Sequence, residues 1–215
     1  MRIIAGAARG RSIKTPKGMT TRPTLEKVRE AIFSTLAPYL EQAVVLDAFA
    51  GSGALGLEAL SRGAERVIFC EKARPVQQII RENTVLCGFA GRAGLYRGAA
   101  EEFLRRFAGE LNNNKNNENN NENNGINSDA KAVGTIFGSQ ITIPQGFDIV
   151  LLDPPYDKGH IATIEPLLLL PGVLKPGAVV MLETASREPE LFSAAVWQLY
   201  KTKTYGDTAV YYYGL

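Results

Sequence analysis

The sequence predicts an α/β protein built on a mostly parallel β-sheet, and three observations support this prediction. From residue 44 onward, apolar runs of strand length alternate with amphipathic stretches of helix length, as in consecutive βαβ units. A glycine-rich segment joins the first of these strands to its helix. Near the end of the chain, two strand-like segments flank Gly206-Asp207, which predicts an antiparallel hairpin at the sheet edge.

Residues 1–38 are predicted to form a small basic N-terminal extension, and residues 39–215 the main domain. Strand-like segments at 2–4 and 12–14 indicate a short hairpin or arm. A helix is expected to follow, with Thr24 as its N-cap and apolar residues recurring every three or four positions. Pro38 is expected to end this helix, because proline lacks the backbone N–H that the helix needs.

The main domain is predicted to contain seven strands and four helices. The strands are expected at 44–49, 66–71, 94–98, 147–153, 178–183, 197–205 and 208–214, and the helices at 54–61, 73–87, 99–107 and 161–170.

An asparagine-rich segment interrupts this alternation. Ten of the thirteen residues at 112–124 are Asn, which favours neither helix nor strand and has little to bury. Residues 110–143 are therefore expected to be a low-complexity surface insertion, disordered or loosely ordered. Such a loop is tolerated because closing a long surface loop costs little additional free energy.

The composition excludes several classes of protein. With two cysteines and one histidine, the chain lacks the residues for a disulfide scaffold or a usual zinc site, and no metal is expected. Cys70 and Cys87 are expected to be buried thiols of a reducing cytosol. No apolar run reaches transmembrane length and no signal peptide is recognisable, so we expect a cytoplasmic protein without a membrane partner. His160 is expected to be an exposed residue near a helix cap, with an RNA contact as the alternative.

Charge is distributed unevenly along the chain. Residues 1–29 carry eight basic side chains and one acid, a net charge of +7, which leaves −5 on the other residues. A basic arm on a mildly acidic body is typical of a segment that binds nucleic-acid phosphates, and a solvated charged terminus is the alternative interpretation.

The glycine-rich segment is compatible with two kinds of cofactor. Gly51–Gly56 fits the GxGxxG pattern of dinucleotide sites, and Glu71 lies where such folds keep an acid for ribose hydroxyls. However, Asp47 precedes the turn, and a carboxylate is unfavourable beside a pyrophosphate. The form D-x-F-x-G-x-G therefore favours a cofactor with a cationic amino acid moiety, S-adenosylmethionine.

A second motif, Asp153-Pro154-Pro155-Tyr156, follows a strand predicted to be buried. The Asp153 carboxylate and the Pro154 carbonyl can both accept hydrogen bonds from one exocyclic amine, which would aim the nitrogen lone pair at a methyl donor. Tyr156 can stack on a base that has left its helix or loop. No histidine base or metal ion is required, since positioning and electrostatics supply most of the rate enhancement.

Together these motifs resemble the RsmD family of bacterial 16S rRNA guanine-N2 methyltransferases. The resemblance also rests on Arg2–Gly6 with Arg9-Gly10-Arg11, and on Thr21–Thr24 with Val28–Phe33. It implies a Rossmann-like class I methyltransferase fold with a seven-stranded sheet, S-adenosylmethionine as the methyl donor, and the guanine of the 966-type site as the acceptor. The implied partner is 16S rRNA or a small-subunit assembly particle, and we expect a monomer.

The two motifs, the resemblance and the charge of the arm together suggest which residues form the sites, and the resemblance itself implies the cofactor roles of Asp47, Phe49, Gly51, Gly53 and Glu71. The expected catalytic residues are Asp153, Pro154, Pro155 and Tyr156. The expected cofactor-binding residues are Asp47, Phe49, Gly51, Ser52, Gly53, Glu71, Lys72 and Ala100. The expected RNA-binding residues are Arg2, Arg9, Arg11, Lys14, Lys17, Arg22 and Arg29.

Ala99 departs from the family pattern, which usually has Asp or Asn near the adenine amino group. Adenine recognition would then fall to backbone groups near Ala100 or to Glu101.

Other functions remain open at this point. The Asp-Pro-Pro-Tyr motif serves adenine-N6 methyltransferases of DNA or RNA as well as guanine-N2 enzymes. An NAD-binding oxidoreductase and a non-catalytic RNA-binding assembly factor are alternatives from other classes, and the motif's presence beside the glycine loop disfavours both.

Overall fold

A computed structural model describes residues 1–16, 26–118, 131–136, 139–143, 146–155, 159–187, 189 and 191–215, with backbone alone for 110–118, 131–136 and 139–143. The strands are β1 (Val44–Asp47), β2 (Arg66–Cys70), β3 (Ala93–Tyr96), β4 (Lys131–Ile136), β5 (Ser139–Ile143), β6 (Phe147–Leu152), β7 (Leu174–Ala185), β8 (Gln198–Tyr205) and β9 (Thr208–Gly214). The helices are α1 (Glu26–Leu40), α2 (Ala54–Ser61), α3 (Arg74–Leu86), α4 (Ala100–Glu118) and α5 (His160–Leu168).

Seven strands form one sheet in the order β3-β2-β1-β6-β7-β9-β8. The neighbours from β3 to β7 pair in parallel, whereas β9 is antiparallel to both β7 and β8. This arrangement confirms the predicted α/β class, the mostly parallel seven-stranded sheet and its C-terminal antiparallel hairpin.

Helices cover both faces of the sheet. Alternate residues of β1 point to opposite sides, so that Val45 belongs to one apolar cluster and Leu46 to the other. The first cluster is completed by α1, α2 and α3, and the second by α4 and α5. Cys70 and Cys87 are buried free thiols, as expected. In the described part of the chain, no helix is long and apolar enough to span a bilayer.

The N-terminal arm is a small hairpin that packs against this core. Arg2 and Ser12 form an antiparallel bridge, and Ile3 and Ile13 are buried in the first apolar cluster. The fully buried Glu58 of α2 accepts hydrogen bonds from the backbone N–H groups of Ile4 (2.8 Å) and Ala5 (3.0 Å). The arm is therefore fixed to the helical layer by apolar and polar contacts.

The end of α1 differs from its prediction. Pro38 does not end α1, which continues to Leu40. The reason is packing: Leu36 and Leu40 are both buried on the apolar face, and this burial offsets the one backbone bond that the proline removes. The predicted N-cap, Thr24, lies outside the described residues.

Part of segment 110–143, which was expected to lack regular secondary structure, forms a helix and two strands. Helix α4 continues to Glu118, and β4 pairs with β5 in an antiparallel hairpin. Helix elongation is easier than nucleation, so the amphipathic first half of α4 extends into weak helix formers. The two strands are rich in β-branched residues, which favour strands. For these residues the expectation of disorder was wrong; the rest of the insertion lies outside the described residues.

Candidate active site at the carboxyl edge of the sheet

Three acidic residues are placed at one edge of the sheet by strand order and register. β1 lies between β2 and β6, where the strand order reverses and open α/β sheets form a ligand crevice. Asp47, the last residue of β1, is level with Phe69 of β2 and Leu151 of β6. Glu71 and Asp153 each follow these partners by two residues. The sequence-predicted acids of both motifs therefore meet at the same crevice.

The glycine-rich turn connects β1 to α2, and its glycines let the backbone of α2 lie close to β2. Gly53 precedes α2 with φ 80°, a left-handed conformation that a side chain would strain. A Cβ on Gly56 would lie 2.3 Å from the ring of Phe69, so only glycine lets α2 approach β2 this closely. The Gly56 N–H donates to Asp47 Oδ2 at 2.9 Å, which holds the carboxyl against the start of the helix.

Asp47 lies in an environment that disfavours its charge. Its residue surface is 1% exposed. Burial raises the pKa of Asp47 to about 7; the hydrogen bond from Gly56 opposes this, and the charges of Asp153 and Glu71 add to it. A cationic group bound in the crevice would stabilise the ionised form of Asp47 and reduce the repulsion among the three acids.

Glu71 is oriented by backbone donors on both sides. Its Oε2 accepts from the Gly51 N–H at 3.1 Å, and its Oε1 accepts from the Ala73 N–H at 2.7 Å. A carboxylate has about four acceptor positions, so Glu71 can also accept hydrogen bonds from ligand hydroxyls. The buried Gln77 of α3 donates to the carbonyls of Glu71 (2.7 Å) and Lys72 (3.2 Å), which fixes this segment.

Sequence reasoning missed Gln77, and it also missed Asn83 on the same helix. Asn83 is fully buried and donates to the carbonyl of Ser52 in the glycine loop at 2.9 Å. Their burial could have been predicted, because Gln77 and Asn83 lie on the face of α3 that carries the apolar residues Val76 and Ile80.

The Asp-Pro-Pro-Tyr segment begins directly beyond β6. Asp153 is partly exposed, Pro154 is buried and Pro155 is exposed. Tyr156, the predicted stacking residue, lies outside the described residues. The motif therefore begins at the carboxyl end of β6, with Asp153 close enough to Asp47 for the two charges to interact.

His160 is the first residue of α5, and its side chain is not the exposed cap residue that was expected. The ring is 19% exposed and packs edge-on against Phe49, with 5.2 Å between ring centroids. Its Nδ1 lies 3.1 Å from Oε1 of Glu101 at the start of α4. This contact could not be predicted from the sequence, because it joins elements far apart in the chain.

Glu101 is linked to the glycine-rich segment through His160, which contacts Glu101 and packs on Phe49. Burial would raise the pKa of Glu101, but its own backbone N–H, the His160 ring and the charges of Lys72 and His160 lower it below the ordinary value. Lys72 itself is exposed. Ala100 is buried as the first residue of α4, so a cofactor contact there would use its backbone.

The predicted RNA-binding residues that the structure describes fall into three groups: Arg2 with Arg9, Arg11 with Lys14, and Arg29. Arg2 and Arg9 are exposed and border a cavity of about 510 Å³ that Lys27 also lines, together with Glu26 and Glu30. Arg11 donates to the carbonyl of Leu86, and Lys14 pairs with Glu82 at 2.7 Å; both retain exposed side chains. Lys17 and Arg22 lie outside the described residues.

Arg29 differs from the other predicted RNA contacts. It is fully buried, donates to the Arg2 carbonyl and lies 3.8 Å from Glu58. A guanidinium in this position cannot reach an RNA phosphate, so the expected RNA contact at Arg29 is corrected to a structural role in holding the arm. The apolar spacing of α1 places Arg29 next to Val28 on the inward face.

The chain is similar to known proteins along almost its whole length. A family model described as "Conserved hypothetical protein 95" matches residues 1–114 and 108–214. "Ribosomal RNA small subunit methyltransferase D" of Haemophilus influenzae is 32% identical over 208 residues, covering 96% of this chain and 89% of the relative. The Escherichia coli K12 protein of the same name is 33% identical over 209 residues, covering 97% and 87%. The chain belongs to this rRNA methyltransferase family. Its sequence-based assignment to the RsmD family is therefore confirmed.

Solved structures agree with the family assignment. The chain is 32% identical to an Escherichia coli protein solved as "Putative methyltransferase yhhF", with a TM-score of 0.73 and coverage of 99% of this chain and 96% of that chain. A Salinibacter ruber RNA methyltransferase solved with S-adenosyl-L-homocysteine shares the fold at 18% identity and a TM-score of 0.56, covering 89% and 92%. The Rossmann-like methyltransferase fold predicted for this chain is confirmed.

Proposed function

We propose that this family member transfers a methyl group from S-adenosylmethionine to the exocyclic N2 amine of a guanine in 16S rRNA, at the 966-type site. The observation that carries the proposal is the convergence of Asp47, Glu71 and Asp153 on one crevice beside the glycine loop. Asp47 and Glu71 would bind the cofactor, and Asp153 would accept a hydrogen bond from the acceptor amine.

The crevice has the chemistry that S-adenosylmethionine requires. Bound there, the cofactor would supply an electrophilic methyl group on a cationic sulfonium. Asp47 supplies a negative charge for the ammonium group, and Glu71 supplies acceptors for the ribose hydroxyls. Gly51, Ser52 and Gly53 form the loop that would let the cofactor approach the backbone, with Phe49 beside it. Lys72 and the backbone of Ala100 are the proposed contacts on the adenine side.

Asp153 and Pro154 would hold the acceptor amine. The Asp153 carboxylate and the Pro154 carbonyl each accept one N–H of the amine, which directs the nitrogen lone pair toward the methyl group. As the N–C bond would form, the bond between sulfur and the methyl group would break and S-adenosylhomocysteine would leave as a neutral thioether. Positive charge would then develop on nitrogen, where Asp153 would stabilise it. The proton then leaves to the Asp153 carboxylate or to water. Tyr156 is the proposed platform on which the extruded base stacks.

The basic arm would hold the RNA backbone. Arg2, Arg9, Arg11 and Lys14 present exposed cations on one hairpin, and Lys17 and Arg22 are proposed to extend the same surface. Because these contacts are to phosphates, they position the RNA without reading its sequence. The groups in the crevice beside Asp153 would therefore select which base is methylated.

The test is methylation of small-subunit particles from a strain that lacks the protein, with S-adenosylmethionine labelled on the methyl group. Digestion of the rRNA to nucleosides should place the label in N2-methylguanosine. Label in N6-methyladenosine would replace this proposal with the adenine alternative, and the absence of label from rRNA would contradict both.

A further inference from the structure

Asn83 of α3 makes hydrogen bonds to two segments with different proposed ligands. Its Oδ1 accepts from the Lys14 N–H at 2.8 Å, and its Nδ2 donates to the Lys14 carbonyl at 2.9 Å. The same Nδ2 donates to the Ser52 carbonyl at 2.9 Å. One side-chain amide thus pairs with both backbone groups of an arm residue and with the glycine loop.

The burial of Asn83 makes this junction sensitive to displacement. The residue is 0% exposed and lies on the helix face that packs into the first apolar cluster. If the arm or the loop moves away, buried polar groups lose partners that water does not readily replace. The lowest free energy is therefore reached when the arm and the loop are both in place against Asn83.

We propose that Asn83 couples RNA binding at the arm to cofactor binding at the glycine loop. This inference rests on the proposed function, which assigns RNA to the arm and S-adenosylmethionine to the loop. A ligand that orders either segment fixes the Asn83 amide and lowers the entropy cost of ordering the other. The coupling is positive and, by linkage, equal in both directions. Asn83 acts here as a positioning residue.

The experiment measures the dissociation constant of small-subunit particles from a strain lacking the protein, with and without saturating S-adenosylhomocysteine. In the wild type, the S-adenosylhomocysteine should tighten particle binding by about fivefold or more. In Asn83→Ala this factor should fall toward one. If S-adenosylhomocysteine tightens particle binding as much in Asn83→Ala as in the wild type, or not at all in the wild type, the coupling is overturned while the proposed function stands. Failure of the wild type to bind particles would contradict the proposed function as well.

Two further variants separate coupling from packing. Glu82→Ala removes a neighbouring contact with the arm, the 2.7 Å pair with Lys14 Nζ, but no bond to the loop, so it should retain the wild-type factor. Asn83→Asp keeps the shape of the side chain but loses the donors to both carbonyls, so it should lose the coupling. Retention of the wild-type factor in Asn83→Asp would show that Asn83 only fills space.

A measurement on the wild type keeps the inference testable if the Asn83 variants do not fold. Hydrogen exchange of the peptide that contains Lys14 is compared with and without S-adenosylhomocysteine. Because the Lys14 N–H donates to Asn83, cofactor binding at the loop should slow its exchange severalfold. Equal exchange rates with and without S-adenosylhomocysteine would overturn the coupling.

Discussion

Among single residues, Asp47 has the clearest electrostatic role in the proposed cofactor site. Its pKa is raised to about 7 because the carboxyl is buried beside Asp153 and Glu71. The unfolded carboxyl ionises near its ordinary pKa of about 4, whereas the folded one ionises only near 7. The apo protein should therefore lose stability as pH rises from about 4 to about 7, with no further loss from Asp47 above that. A cationic ligand reverses this preference by favouring the ionised form.

The affinity for S-adenosylhomocysteine should therefore depend on pH. Below about pH 7, protonation of Asp47 competes with the ligand ammonium, so the dissociation constant should rise by up to about tenfold per pH unit. Calorimetric titration between pH 5.5 and 8.5 measures this dependence. Asp47→Asn, which retains an acceptor for the Gly56 N–H, should bind more weakly and with a flatter pH profile. If the dissociation constant of Asp47→Asn depends on pH as steeply as that of the wild type, a group other than Asp47 causes the pH dependence.

Asp153 is predicted to serve the acceptor amine and not the cofactor. Asp153→Ala should lower the methyl-transfer rate at least 100-fold, since it removes the group that orients the amine and stabilises its developing charge. Its dissociation constant for S-adenosylhomocysteine should stay within about threefold of the wild-type value. Single-turnover transfer and calorimetry measure the two quantities. A large loss of S-adenosylhomocysteine affinity would place Asp153 in the cofactor site.

Among the elements, the contact between the N-terminal arm and α2 is made by Ser61 and by the buried acid Glu58, which also carries the ion pairs of this contact. Glu58 accepts from Ile4 and Ala5, pairs with Arg62 at 2.7 Å and lies 3.8 Å from Arg29. Removing one partner of a buried ion pair leaves an uncompensated charge, which costs more than the pair itself contributes.

Glu58→Ala should destabilise the protein by about 3–5 kcal/mol, because Arg29 would stay buried without its acid. The matched control is Glu65→Ala, which removes a largely exposed partner of Arg66 and should change stability by less than about 0.5 kcal/mol. Urea unfolding monitored by circular dichroism measures both. Equal stabilities for the two variants would mean that the Glu58 network contributes little to docking the arm.

The sequence predicts elements better than it predicts contacts between them. The parallel strands were recognisable because each is a short apolar run, and their order places Asp47, Glu71 and Asp153 together. The end of α1 was missed because burial of Leu40 outweighs the presence of Pro38. Glu101–His160 and Asn83–Ser52 were missed because such contacts form only when distant elements pack.

In the whole molecule, the uneven charge distribution of the sequence corresponds to two separate surfaces. The arm carries exposed cations, while the crevice collects buried and partly buried acids. In the proposed function, the first surface holds RNA phosphates and the second holds a cationic cofactor. A molecule with a net charge of only +2 can in this way serve two ligands of opposite charge.

RNA affinity should consequently fall steeply with salt. Arg9→Ala should reduce the slope of log affinity against log salt by just under one, because one phosphate contact and its released counterions are lost. Lys175→Ala is the control: Lys175 lies at the start of β7, outside the N-terminal arm, and pairs with Asp148 at 2.7 Å. Filter binding at several salt concentrations measures the slopes, and a slope unchanged by Arg9→Ala would remove this residue from the RNA surface.

The most direct test of guanine-N2 methylation in 16S rRNA is mass mapping of that rRNA from cells with and without the protein. The account predicts that one guanosine loses a single methyl group in the deletion strain, and that the wild-type gene restores the group whereas Asp153→Ala does not. An identical methylation pattern in both strains would contradict it.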